Sequence, residues 1–184
     1  MQPRRRNRLI LGLLALGLLA GGALTAPPAQ AVDAVGPYYA EPAWDQQLAA
    51  ATRFVVLTNW SSQAVLDKET GLVWARTPSS GPFSWDGARA HCLASTTGNH
   101  QGWRLPSVHE LASLIDPLRV GPALPLGHPF LNVSFSLTAT TNAGYPDIVW
   151  YVDFSNGNGV VSTTTKTGPA PAWCVRGGMN AAAY

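Results

Sequence analysis

The chain has 184 residues, 46% of them apolar and only 12% charged, with 12 Lys and Arg against 10 Asp and Glu. That length suits one domain with a sizeable core. Nucleic-acid and polyanion binders show a basic excess, and here the small excess sits entirely at the N-terminus: Arg4, Arg5, Arg6 and Arg8 precede the first acid, Asp33, and 12 less these four leaves 8 basic against 10 acidic groups beyond residue 31.

The N-terminus reads as a cleavable signal peptide. The arginines form a basic n-region, Leu9 to Leu19 is an almost unbroken apolar h-region, and Ala29-Gln30-Ala31 is a small-x-small cleavage signal. The apolar run is shorter than the ~20 residues a spanning helix needs. Residues 1–31 are therefore expected to be removed, leaving a periplasmic or secreted product with no membrane span and a net charge near −2. The Arg5-Arg6 pair leaves general and twin-arginine export both open. Residues 32–52, rich in Pro, Tyr and small side chains without periodicity, are read as a leader, 53–178 as the domain and 179–184 as a tail.

The domain opens with a short meander. Phe54-Val55-Val56-Leu57 is a strand, Asn59 to Gln63 a turn, Ala64 to Asp67 the return, and Lys68-Glu69-Thr70-Gly71 a second turn into Leu72-Val73-Trp74. Two helices follow. Ser84 can cap Trp85 to about Ala94, with Trp85, Ala88 and Cys92 on one face. Ser107 and Glu110 form a capping box ahead of Leu111, Leu114 and Ile115, and Pro117 stops that helix. Leu118 to Phe135, rich in Pro, Gly and Leu, reads as a long irregular loop. Ile148 to Phe154 and Val160 to Thr164 flank the turn Ser155 to Gly159 as a hairpin, and Ala172 to Arg176 is the last strand. Strands, two helices, then strands predict an α+β domain, the helices packed on a twisted, mainly antiparallel sheet.

The chemistry-bearing residues are few. Cys92 and Cys174 lack metal-type spacing, and in an exported chain they are expected to form one disulfide, with a nucleophilic thiol as the alternative. His91, His100, His109 and His128 share no ligand spacing, so no metal or cofactor is expected. Asp153 to Asn158 offers oxygen ligands but not the pattern of a calcium loop. Of seven tryptophans, Trp74, Trp85, Trp103, Trp150 and Trp173 fall on or beside predicted elements and are assigned to the core, while Trp44 and Trp60 are the candidates for exposed, sugar-stacking rings.

Five strings, in order, resemble a known family: Asp67-Lys68-Glu69-Thr70-Gly71-Leu72-Val73-Trp74; Ser84-Trp85-Asp86 with Ala88 and Cys92; Gly102-Trp103-Arg104-Leu105-Pro106 with Glu110-Leu111 and Leu114-Ile115-Asp116; Trp150 to Phe154; and Cys174 to Gly178. Together they are similar to the Lcl C-terminal domain family, named for the C-terminal module of a collagen-like bacterial adhesin. The resemblance implies an extracytoplasmic bacterial domain of C-type-lectin-like fold, Cys92 bridged to Cys174, with irregular loops as the ligand surface. The chain departs from the pattern at Ser136-Leu137-Thr138-Ala139-Thr140, where members often carry a Trp-Ser-Ser-Thr-like string. It also lacks the Glu-Pro-Asn and Trp-Asn-Asp calcium strings of sugar-binding C-type lectins. The adhesin's association with sulfated glycosaminoglycans does not transfer to a slightly acidic chain.

The expected function is non-catalytic binding of a glycan or of an extracellular or envelope protein surface, with no nucleic-acid partner. Candidate contacts are Trp60, Asn142, Tyr145, Asn156 and Asn158, aromatic and amide side chains on turns and on the loops up to Tyr145. Two alternatives stand beside it. One is a structural envelope protein that self-associates; the other is a cysteine-dependent enzyme of the formylglycine-generating type, which resembles the same broad fold and needs free thiols.

Overall fold

The computed structural model describes residues 48–177. The signal peptide, the leader as far as residue 47 with Trp44, and the tail beyond 177 lie outside the described residues. A helical turn α1 (Ala50–Arg53) leads into the meander β1 (Phe54–Val56), β2 (Ala64–Asp67) and β3 (Val73–Ala75). Then come β4 (Ser79–Phe83), helix α2 (Trp85–Ala94), β5 (Trp103–Arg104) and the short helix α3 (Val108–Ala112). After a long connection, β6 (Phe135–Thr141), β7 (Ile148–Asp153), β8 (Val160–Thr165), β9 (Ala170–Ala172) and β10 (Val175–Arg176) complete the domain. Strands run β1-β2-β3-β10-β5 in one sheet and β4-β9-β6-β7-β8 in the other, and among the described residues only β6 and β9 pair in parallel.

The fold is thus mixed α+β, but with two five-stranded sheets where one was expected. The reason lies at the C-terminal end. Ala172 to Arg176, read as one strand, is two: β9 belongs to the second sheet and β10 to the first, and the chain crosses between them at Trp173-Cys174. The Trp173 amide N–H donates to Ser136 Oγ at 2.8 Å on β6, whereas the Cys174 carbonyl accepts from the Ala75 amide on β3 at 2.9 Å. Trp173 fills this junction. Its indole N–H donates to the Ala75 carbonyl at 2.7 Å, and its ring meets Trp74, Phe130 and Phe154 at 5.0 to 5.6 Å between centroids. Such tilted and edge contacts suit the aromatic quadrupole. Cys174 is bonded to Cys92 of α2 at the same point, as expected, so the helix is stapled to the crossing.

Local rules account for the first turn and for the helix starts. Asp67 Oδ1 accepts the Glu69 amide at 3.0 Å, Thr70 Oγ1 accepts the Leu72 amide, and Gly71 takes the left-handed φ of +68° that closes the turn. Asp67 and Glu69 also hold Arg53, which is buried with both carboxylates and donates on to the Ser113 carbonyl. Ser84 caps α2, which buries Ala88 and Cys92. The capping box of α3 is present in both directions, but the helix ends at Ala112: the Leu114 and Ile115 amides donate to carbonyls three residues back, and the Ser113 hydroxyl takes up the Glu110 carbonyl. Leu114 is nevertheless buried, beyond the helical part of the stripe. The two helices of the reading are therefore one of ten residues and one of five.

Three strands were not foreseen: β4, β5 and β6. The last occupies part of the stretch assigned to ligand loops and lies in the middle of the second sheet. Its Ser136 and Thr138 look like loop residues in the sequence, yet both are buried. Their hydroxyls are absorbed by backbone: Ser136 Oγ donates to the Leu137 carbonyl and accepts from Trp173, and Thr138 Oγ1 donates to the Trp150 carbonyl at 2.8 Å.

Candidate functional site

The residues of the recurrent strings are framework. Asp67, Glu69, Thr70 and Gly71 build a turn around Arg53, while Leu72, Trp74, Trp103 and Leu105 are core. Arg104 forms a two-pronged pair with Glu110, one prong at 2.7 Å, and donates also to the Gly177 carbonyl, tying β5, α3 and the end of β10 together. Burial alone raises the Glu110 carboxyl, but the Arg104 bonds and the Ser107 amide outweigh it and hold the group below its ordinary value. A ligand surface has to be sought between these fixed parts.

The candidate is a groove of about 630 Å³ between α3 and the β6–β7 hairpin, lined by Val108, His109 and Ala112 on one side and Thr140, Asn142, Trp150 and Val161 on the other. The framework fixes both walls. The Val108 amide donates to Thr140 Oγ1 at 3.0 Å, and the Ala139 amide donates to the Pro106 carbonyl at 2.6 Å, so α3 and β6 cannot drift apart independently. Trp150, on β7 between β6 and the edge strand β8, is half-buried and supplies an aromatic floor. Asn142 accepts the Gly144 amide on its Oδ1 at 2.9 Å, an Asx turn that orients the side chain. Its Nδ2 has no partner among the described residues. The site thus combines apolar area with an amide donor, hydroxyls and an exposed imidazole, His109, the mixture typical of small-ligand clefts.

The five sequence candidates do not converge. Asn142 lines the groove, and Tyr145, 70% exposed, projects from the same hairpin loop. Asn156 and Asn158 lie in the β7–β8 turn, at the other end of six-residue β7, roughly 17 Å away along the strand. Asn158 is engaged there, its Nδ2 donating to the Pro117 carbonyl at 2.6 Å. Trp60 ends a 3₁₀ turn in the β1–β2 connection of the other sheet and is no free platform: His100 stacks on it at 3.6 Å, and the Arg176 guanidinium lies 5.4 Å from its ring. Trp150 and His109 were missed. Trp150 stands in the apolar run Ile148 to Val152, whose lack of alternation hides which face each residue takes. His109 could have been found from the capping box, which places it on the first turn of α3.

Other groups that invited chemistry are otherwise occupied. Asp153 Oδ1 accepts both the amide and the hydroxyl of Ser155. His91 stacks on Phe83, and His128 on Phe130. Among the described residues no three of His, Cys, Asp and Glu gather as a metal cluster would require, and no helix is long and apolar enough to cross a membrane. The Trp85 ring makes two cation–π contacts, with Arg89 at 4.6 Å and Lys166 at 4.3 Å.

A comparison with curated proteins finds no match. The sequence pattern of the Lcl C-terminal domain matches residues 63–176, from the start of β2 to the end of β10. That span includes both bridged cysteines, the Asp67 turn and the Arg104–Glu110 clasp, and on it the chain belongs to the Lcl C-terminal domain family.

Proposed function

We propose that the protein is an exported, non-catalytic binding module whose groove at Trp150 takes a glycan segment. One observation carries the reading: a half-buried indole floors a groove whose rim presents the free Nδ2 of Asn142, the hydroxyls of Thr140 and Thr141, and His109. A sugar ring presents an apolar face for the indole and hydroxyls for the rim. Export is supported by the signal-like N-terminus and by the disulfide, which persists in oxidising compartments. The bridge also consumes both thiols, which weighs against the cysteine-dependent enzyme. A C-type-lectin-like arrangement agrees with α2 stapled to the chain crossing and with a binding surface beside a long irregular connection.

The test is a glycan array probed with the purified protein and with Trp150→Ala, alongside capture from envelope extract. The reading expects a discrete set of glycans and about a tenfold or greater loss of affinity in the variant. Capture of a protein with no glycan bound, or glycan signals unchanged by Trp150→Ala, overturns it.

A further inference from the structure

Among the described residues the two sheets present four edge strands, and three carry the features that prevent one edge from pairing with another. In the first sheet β1 has three residues and β5 two. In the second, β4 contains Gly81 and Pro82 and breaks register against β9. Short length, proline and irregular register each protect an edge. β8 has none of them. Its six residues, Val-Val-Ser-Thr-Thr-Thr, include no charge, proline or glycine, and its register with β7 runs unbroken from Ile148↔Thr165 to Asp153↔Val160.

The partners of β7 show which groups of β8 face outward. The Ile148 carbonyl accepts from the Asn142 amide at 2.8 Å, and the Trp150 carbonyl from the Thr138 hydroxyl, so both residues turn toward the β6 side. The Lys166 amide donates to the Asp147 carbonyl at 2.9 Å. Opposed residues of an antiparallel ladder alternate between bonded and non-bonded pairs. Val149, Tyr151 and Asp153 are then the residues bonded to β8, and Val161, Thr163 and Thr165 point their main-chain groups away from the sheet. The Thr165 carbonyl takes one bond from the Gly168 amide; those of Val161 and Thr163 have no partner among the described residues.

We propose that β8 pairs antiparallel with β8 of a second copy of this chain, about a two-fold axis at Thr163. A two-fold axis brings a strand against itself, so a charged edge repels its own copy, whereas this edge sets Thr163 against Thr163 and Val161 against Thr165 with no charge between them. Each of these pairs exchanges two main-chain hydrogen bonds. Apolar surface lies beside the strand: Val160 and Val161 are about two-fifths exposed, and Leu118 and Val120 are 86% and 67% exposed on a loop that Asn158 fastens to the same end. A stable interface buries at least ~1,200 Å², and this rim extends the contact beyond the strand. Trp150 pairs with Thr163, so the two grooves would open on one face of a continuous sheet, their Trp150 positions roughly 14 Å apart across three strand spacings. That last consequence rests on the groove being the binding site; the pairing does not.

The experiment is light scattering of the purified full chain over a concentration series, combined with single-cysteine variants. Across a bonded pair the Cα atoms stand ~5.5 Å apart, within disulfide reach. Thr163→Cys is expected to cross-link to itself on mild oxidation; Val161→Cys and Thr165→Cys cross-link only when mixed. Thr163→Lys, at an exposed position, should keep the thermal transition and weaken the dimer by about tenfold or more. A monomer mass throughout, a dimer indifferent to Thr163→Lys, or cross-links in another register each overturn the proposal. Trp150→Ala separates the two readings: it should abolish glycan binding and leave the dimer intact.

Discussion

At the scale of single residues, Arg104 and Glu110 tie the fold together, and Glu110 and His128 contribute to its response to pH. Glu110 is held below its ordinary value by Arg104 and Ser107 against the opposing pull of burial. A carboxyl with a depressed folded pKa contributes stability above its unfolded value, near 4.5, and that contribution is lost as pH falls through the folded value. His128 is shifted down by burial, so the unfolded chain binds its proton first and stability declines as pH falls below about 6.5. Denaturant melts as a function of pH should show both slopes. Glu110→Gln should flatten the acidic one and His128→Gln the one near pH 6; an unchanged profile in either variant contradicts the assignment. Trp173, at the junction of the sheets, is the costliest single truncation expected, with Trp173→Ala losing about 3–5 kcal/mol in equilibrium unfolding.

At the scale of elements, α3 shows how a short helix is held. Five residues are too few to be helical alone, so the capping box and the Arg104 clasp must fix its start. Ser107→Ala should cost about 1 kcal/mol in denaturant melts, and it should weaken ligand binding by loosening the wall that carries His109. The same element marks how far the sequence could be read. The capping box, the Ser84 cap, the meander and the β7–β8 hairpin all follow from local chemistry and were visible in the sequence. β6 was not, because buried serine and threonine hydroxyls satisfied by backbone look identical in sequence to those of a surface loop. Nor was the β9–β10 crossing, since the Trp173 amide bonds to a side chain 37 residues away. The site suffered most. Asn142 and Tyr145 were picked out, but Trp150 was assigned to the core, since a continuous apolar strand does not reveal its exposed face.

At the scale of the whole molecule, the disulfide ties the α2 region to the sheet crossing over a separation of 82 residues. In the chain-entropy view a loop of that length contributes roughly 4 kcal/mol, so Cys92→Ala with Cys174→Ala should lower stability by about that much while leaving the far groove walls in place. Calorimetry of the double variant, and of the native protein with and without reductant, checks it. The proposed binding function rests on a division of labour: a hydrogen-bonded frame and a groove whose floor and rim lie between its fixed parts. The most direct test is a ¹H–¹⁵N NMR titration of the protein with the oligosaccharide that ranks first on the glycan array. The Trp150 indole, the Asn142 side-chain amide and the backbone of α3 are expected to shift together and saturably. Shifts confined to Trp60 and Arg176, or to the Asn156–Asn158 turn, would contradict it.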